Sequence, residues 1–412
     1  MGEGARCVCR GARAEVLPEG RRRPPHGERL GSRAVDLADT TGPTELMQRA
    51  LALGDAARRR TPPNPWVGCV VSRDGVIVGE GATDPPGGPH AEVVALAAAG
   101  DRSRGATAFV TLEPCSHRAR TGPCAEAILA AGIARVVVAV EDPDPRVRGR
   151  GIAYLRAAGV EVDVGLGADE ATRSLAPYLH HRRTGSASCL VKTATSLDGR
   201  VAAADGSSQW ITGNAARADA HELRADSQAI VVGSGTALAD RPTLTVRHAC
   251  DAGVQQPRRV VLDAHGRVPA DGPLFDTTIA PTLVLTTAVA AAPALEAWRA
   301  AGADVEIIEP APDGVGVHLG VVLALLGRDG VLQAMVEGGP TLHGALFTAG
   351  LVDRVVAYVA GAILGPEGRA AFAGPGPRTL SEARRLELLE ARVLGSDVRL
   401  DYRSTRPGSE GT

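Results

Sequence analysis

Residues 88–124 read GPHAEVVALAAAGDRSRGATAFVTLEPCSHRARTGPC, and four residues in that run decide how the first half of the chain is read. His90 and Glu92 stand two positions apart, Cys115 follows Glu113-Pro114 after an apolar run, and Cys124 closes the segment. One imidazole and two thiolates are three zinc ligands, which leaves a fourth tetrahedral position open to water. Zinc in such an open site brings bound water toward a pKa of about 7. Glu92 is near enough to His90 to move protons without ligating. The bland alternatives are a satisfied core histidine with two buried thiols, or a structural zinc module. A purely structural site has no need of a carboxylate beside an open position.

Working outward, the spacing predicts a helix over Pro89–Ala99, with Pro at its start and Gly100 past its end. A strand over Ala106–Leu112 leads to Cys115, and Cys124 opens a helix over Pro123–Ala131, where a helix N-terminus favours thiolate. Upstream, Trp66–Ser72 and Val76–Gly81 read as strands joined by Arg73-Asp74-Gly75. Downstream come a strand (Ala134–Val140), a helix (Gly151–Ala158) and a strand (Val160–Val164). Residues 45–165 are thus expected to form one α/β unit, preceded by a disordered extension over 1–44.

Residues 166–186 are expected as a linker. From Cys189 the alternation restarts, with strands near Leu190–Ala194, Ala229–Gly233, Arg259–Asp263, Thr282–Thr286, Asp304–Ile308, Leu332–Val336 and Arg354–Val359, and a last one at Asp397–Tyr402. Helices are expected near Asn214–Asp226, Pro293–Ala301, Val317–Gly327 and Pro340–Ala349. Such alternation implies a largely parallel sheet covered on both faces over 187–403, with 404–412 as a tail.

The bulk composition agrees with two domains in 412 residues. A formal net charge of −2 offers no global basic field for nucleic acid. The uncharged stretch Thr277–Leu295 is broken by Pro281 and Pro293 and fits a strand followed by a helix better than a membrane span. Seven scattered cysteines are not a disulfide framework, and the first residues lack the apolar run of a signal peptide. A soluble, cytoplasmic enzyme acting on a small molecule, with neither nucleic acid nor membrane as partner, is the expectation.

The H-x-E and P-C pairs follow the pattern of zinc nucleobase deaminases, but most of those close with C-x2-C, whereas eight residues separate Cys115 from Cys124. The longer spacing resembles the deaminase half of bifunctional riboflavin-biosynthesis proteins. So do Asn64-Pro65-Trp66-Val67-Gly68, Gly88–Glu92, Thr111–His117, Thr121–Cys124 and Asp142-Pro143-Asp144-Pro145. The second half is similar to that family's reductase at Leu190-Val191-Lys192, Ser196–Arg200, Ser208–Thr212, Leu244–Arg247 and Glu337–Leu342. The likeness covers residues 45 to 403 in the family's order.

The resemblance implies a cytidine-deaminase-like three-layer α/β/α domain followed by a dihydrofolate-reductase-like α/β domain. It implies zinc-dependent deamination of 2,5-diamino-6-ribosylamino-4(3H)-pyrimidinone 5′-phosphate, then NADPH-dependent reduction of ribosyl to ribityl. His90, Cys115 and Cys124 would hold zinc, with Glu92 as proton carrier and Lys192 as the functional lysine of the reductase. Asn64, His117, Ser208, Arg224, Leu244, Arg247 and Glu337 would face substrate. Ala194, Trp210, Thr236, Asp240 and the run Gly339, Pro340, Thr341, Leu342, His343, Gly344 and Ala345 would face NADPH. The family also implies a homo-oligomer built through the reductase domain. The chain departs from the family at Thr83, where His is usual, at Arg241, where an acid is usual, and at Ala119, Ala176 and Tyr178. Two rivals are a zinc deaminase of another nucleobase or nucleotide with a degenerate reductase, and a non-catalytic, zinc-stabilised cofactor-binding protein.

Overall fold

The computed structural model describes residues 41–116, 122–247 and 255–405. Most of the expected extension, together with His117, Ala119 and residues 406–412, lies outside them. The first unit opens with α1 (Pro43–Ala57), whose Glu45 accepts the Gly42 N–H at 3.0 Å. Leu46, Met47, Ala50, Gly54 and Ala57 are buried at the three- and four-residue spacing of one helix face. The strands and helices that follow are β1 (Gly68–Arg73), β2 (Val76–Ala82), α2 (Ala91–Ala99), β3 (Thr107–Val110), α3 (Cys124–Ala130), β4 (Arg135–Val138), α4 (Arg150–Ala157) and β5 (Glu161–Val164). The sheet order is β2-β1-β3-β4-β5. β1 runs antiparallel to β2 and β3, and β3, β4 and β5 run parallel. Ala91, Ala95, Ile128 and Ile152 pack on one face with Val71, Val110 and Val138. Leu46, Met47 and Ala171 pack on the other with Val70, Phe109 and Val137. The result is the expected three-layer arrangement.

The expected linker is instead two helices, α5 (Ala168–Ser174) and α6 (Ala176–Thr184). Leu175, Tyr178 and Leu179 are buried in the first core, so the segment is held by packing rather than left to span solvent. Pro177 sits in the first turn of α6, where a missing N–H costs nothing.

The second unit contains β6 (Ser188–Ser196), β7 (Arg200–Ala202), α7 (Asn214–Ala225), β8 (Ala229–Gly233), α8 (Ser234–Asp240), β9 (Arg258–Leu262), β10 (Thr282–Thr286), α9 (Ala292–Ala300) and β11 (Asp304–Ile307). It continues with α10 (Leu319–Arg328), β12 (Gln333–Val336), α11 (Pro340–Thr348), β13 (Arg354–Ala360), β14 (Arg369–Ala370), β15 (Leu386–Leu394) and β16 (Asp397–Ser404). Nine strands form one sheet in the order β11-β10-β9-β8-β12-β6-β13-β16-β15. It is parallel from β11 to β13 and antiparallel through β16 and β15. Val191, Val231, Leu262 and Leu326 fill one face, and Leu190, Ile230, Val261 and Trp298 the other. The stretch Thr277–Leu295 holds β10 and the start of α9, and no helix among the described residues is long and apolar enough to cross a membrane.

Candidate active site

His90 is the N-cap of α2, in extended backbone (φ −78°, ψ 163°). The helix can lie close on the sheet because β2 turns glycines toward it. A Cβ on Gly79 would stand 2.2 Å from the Ala95 carbonyl oxygen, and one on Gly81 2.5 Å from that of Ala91. Cys115 follows β3, and Cys124 is the first residue of α3, its backbone N–H donating to Cys115 Sγ at 3.4 Å. His90 Nδ1 lies 3.2 Å from Cys124 Sγ and 3.7 Å from Cys115 Sγ. The three ligand atoms all fall within 4.8 Å of one another. Zinc bonds of 2.0–2.3 Å in tetrahedral geometry separate ligand atoms by about 3.5–3.8 Å, so this donor set fits zinc. Hydrogen bonds from Cys124 and His90 hold the Cys115 thiol below its ordinary value against the effect of burial, and the bond to Cys115 together with burial pushes the Cys124 thiol up.

Glu92, in the first turn of α2, is 4% exposed. Burial, and after it the charge of Cys115, pushes its carboxyl up to about 7, while His90 opposes the shift. A carboxyl at that value gives and takes protons readily near neutrality.

Glu113, which stands in the Glu-Pro-Cys motif with no role assigned from sequence, takes a structural one. Its buried carboxylate accepts backbone N–H groups of Gly149 (2.9 Å), Gly151 (3.0 Å), Ile152 (3.3 Å) and Asp142 (3.3 Å). It therefore fastens the loop that presents Cys115 to the start of α4. Gly151 completes the join, since a Cβ there would stand 1.9 Å from the Pro114 carbonyl oxygen. Glu113→Ala strands four donors, and at about 1–3 kcal/mol for each buried group left unpaired the first unit should melt early and lose zinc. Thermal unfolding with metal analysis checks this; an unshifted melt with full zinc content would refute the role.

In the second unit, Lys192 and Ala194 lie two positions apart on β6, at the sheet's centre, and so share a face. Lys192 Nζ stands 3.7 Å from Glu337 Oε2 and 5.9 Å from the centre of the Tyr358 ring. Arg224, at the end of α7, grips Glu337 with Nε and Nη2 and gives Nη1 to the Thr245 carbonyl at 3.0 Å. Burial alone would raise the Glu337 carboxyl, but Arg224 and Lys192 outweigh it and hold it down to about 2. Beneath the lysine, Tyr358 Oη donates to Asp219 at 2.6 Å, and Arg399 supports Asp219 at 2.9 Å. Neither residue carried a sequence signal.

Glu337, Gly338 and Gly339 link β12 to α11, at the carboxyl edge of the parallel strands where such sheets bind ligands. A Cβ on Gly339 would lie 3.3 Å from Thr236 Oγ1, so α8 and α11 begin side by side. The α11 N-terminus offers N–H groups and a positive dipole end to a phosphate. The candidate cofactor residues do not all gather there. Trp210 is 68% exposed, with the Arg217 guanidinium 4.4 Å from its ring centre. Asp240 is exposed at the end of α8. His343 is buried against Phe372, and Gly344 lies under the Ala373 carbonyl. Among the candidate substrate residues, Leu244 is buried in the core with φ 49°, Arg247 Nη1 donates to Thr243 Oγ1, Ser208 is half-buried, and Asn64 lies in the loop before β1. Asp198 is engaged by Ser196 and by the backbone of Leu364 and Gly365 rather than by Lys192.

Two families match along the chain. The cytidine and deoxycytidylate deaminase zinc-binding region covers residues 41–140, and the RibD C-terminal domain covers 187–400. The riboflavin biosynthesis protein RibD of Chlamydia pneumoniae is 42% identical over 358 residues, 86% of this chain and 94% of that protein. RibD of Escherichia coli (strain K12) is 42% identical over 371 residues, 85% and 96% of the two chains. The chain belongs to the RibD family. It joins a zinc-binding deaminase region to a reductase, and is a bifunctional enzyme of riboflavin biosynthesis. The RibD structure from Acinetobacter baumannii (form 1) superposes with a TM-score of 0.78 at 37% identity, covering 88% of this chain and 99% of that one. A deaminase/reductase from Thermotoga maritima gives 0.77 at 30% identity, covering 88% and 98%.

Against that RibD background, the departures take defined places. Thr83 is buried, and its Oγ1 accepts the Val67 N–H at 3.2 Å, bracing the entry to β1. Arg241 has φ 40° at the end of α8 and pairs with Asp271 at 3.0 Å on the surface. Tyr178 Oη donates to Asp142 at 2.9 Å, under the loop that Glu113 fastens.

Proposed function

We propose that the enzyme deaminates 2,5-diamino-6-ribosylamino-4(3H)-pyrimidinone 5′-phosphate and then reduces the ribosyl group to ribityl with NADPH. The observation that carries the reading is the convergence of His90, Cys115 and Cys124 within 4.8 Å, beside a buried carboxyl pushed to about 7. Zinc held by these three supplies Lewis acidity that makes water a nucleophile at neutral pH. In the deamination the ring carbon gains the oxygen of a water and loses its amino group as ammonia. Glu92 takes a proton from that water, protonates the ring nitrogen, and returns a proton to the departing amine. Glu113 acts through position, holding the Cys115 loop.

For the second reaction NADPH supplies the hydride-level reducing equivalents. Lys192, paired with Glu337 at 3.7 Å, provides the accompanying proton to the sugar. The α11 N-terminus with Gly339 and Thr236 is the favoured place for a cofactor phosphate. Homo-oligomerisation through the reductase half in the cytoplasm completes the proposal. It is supported by β15, a nine-residue strand at the sheet edge with Leu388 and Val393 exposed.

Ammonia release and NADPH oxidation, followed separately on the diaminopyrimidinone substrate with and without NADPH, test both halves. Ammonia should appear in both conditions and NADPH should be consumed when present. Ammonia with no NADPH oxidation would remove the reductase half, and no ammonia from zinc-loaded protein would remove the reading altogether.

A further inference from the structure

Lys192 carries its ammonium on a flexible four-carbon stem. Among the described residues its one ion pair is with Glu337 Oε2 at 3.7 Å, longer than a hydrogen bond. That contact attracts the ammonium without setting its direction. A second element packs against it. Nζ lies 5.9 Å from the centre of the Tyr358 ring, inside the range at which an aromatic face attracts a cation. Strand register explains the meeting. β13 runs parallel to β6 with Val356 opposite Lys192 and Tyr358 opposite Ala194, so the lysine and the buried ring share the face that α7 covers.

The ring is itself held by charge. Tyr358 stands opposite Arg399 on β16, and Arg399 stands opposite Arg392 on β15. Two arginines directly opposite one another repel, and Asp219 of α7 answers both. Arg399 donates to it at 2.9 Å and Arg392 at 2.5 Å. The Tyr358 hydroxyl donates to the same carboxylate at 2.6 Å. Burial, and after it the bond to Asp219, pushes that hydroxyl well up from its ordinary value. It therefore keeps its proton and is no acid for the reaction. A buried charged cluster of this kind gives a fold little stability that apolar side chains would not. It does fix the place of the hydroxyl, and through it the place of the ring.

We infer that Tyr358 is a positioning residue of the reductase, whose ring face directs the Lys192 ammonium while Asp219, Arg399 and Arg392 fix the ring. The inference rests on the reading of Lys192 as the proton source for the sugar. It also gives the edge strand β15 a part in the site, since Arg392 reaches from that strand to Asp219.

The test is a double-mutant cycle on zinc-loaded full-length enzyme, with the deaminated intermediate supplied and NADPH oxidation followed. Tyr358→Leu, which removes the ring, should lower kcat about tenfold. The KM for the intermediate, and the Kd for NADPH by calorimetry, should stay within about twofold of the parent. Tyr358→Phe, which keeps the ring and loses the hydroxyl, should stay within about threefold of the parent in kcat. In a Lys192→Met background Tyr358→Leu should cause no further loss, because a residue that acts through the lysine has nothing left to position. Tyr358→Met serves if the Leu variant does not fold. Losses that multiply in the double variant, or a parental kcat in folded Tyr358→Leu, would overturn the inference and leave the role of Lys192 standing. Full activity in Lys192→Met would remove the reading of the lysine and the inference with it.

Discussion

Glu92→Gln should lower ammonia release by about 10²- to 10⁴-fold, the usual contribution of a positioned proton carrier, while zinc content stays at one per chain. The amide keeps the shape of the side chain in its buried place but can neither accept a proton from water nor return one to the leaving amine. Zinc is retained because the three donors that fit it are His90, Cys115 and Cys124. Reduction should be untouched when the deaminated intermediate is supplied directly, since Lys192 on β6 and Glu337 just after β12 belong to the other unit. Ammonia release, metal analysis and NADPH oxidation on the same preparation separate these effects. A variant that deaminates within threefold of the parent shows that Glu92 is structural. A variant that loses zinc shows that Glu92 helps hold the ion.

The convergence of His90, Cys115 and Cys124 was legible because these residues are chemically rare and sit at element ends, which local sequence signals locate well. His90 precedes a helix and Cys124 begins one, as Pro89 and Pro123 announce. The parallel core strands were legible for a related reason. In sequences such as Ala-Ile-Val-Val-Gly at 229–233 the first four residues are all buried, and short β-branched runs between helices have few other readings. What escaped detection depends on partners distant in the chain. β15 reads Leu-Glu-Leu-Leu-Glu-Ala-Arg-Val-Leu, a run of good helix formers, and pairing with β16 overrides that preference. α5 and α6 are short and polar, and the contacts of Ala171, Leu175, Tyr178 and Leu179 with the first unit's core give them order. Glu113 was visible as a motif residue, but its four backbone partners lie 29 to 39 positions away. Likewise the meeting of Lys192, Arg224 and Glu337 needs β6, α7 and the loop after β12 in one place.

That meeting carries the second large effect. Glu337→Gln should reduce NADPH oxidation more than 100-fold with ammonia release intact, and should destabilise the reductase half by about 3–5 kcal/mol, the usual result of stripping one partner from a buried ion cluster. Two cations depend on this carboxylate, with side chains 14% exposed at Arg224 and 19% at Lys192. In the variant the amide oxygen can accept only one of the two bonds Arg224 gives Glu337 and carries no charge, so Arg224 is left with that bond and the Thr245 carbonyl, and Lys192 loses the anion that fixes it over β6. The pH dependence has a definite sign. The folded pKa is depressed from 4.5 to about 2, so the contribution is fully present above 4.5 and is lost as the pH falls through 2. The gap in melting temperature between parent and variant should therefore be constant from pH 7 to 5 and close progressively below 4.5. A gap that stays open at pH 2 would assign the loss to the altered shape of the side chain rather than to its charge. Intact NADPH oxidation in a folded Glu337→Gln enzyme would detach Lys192 from this carboxylate and leave the Tyr358–Asp219 pair beneath the lysine as its positioning element.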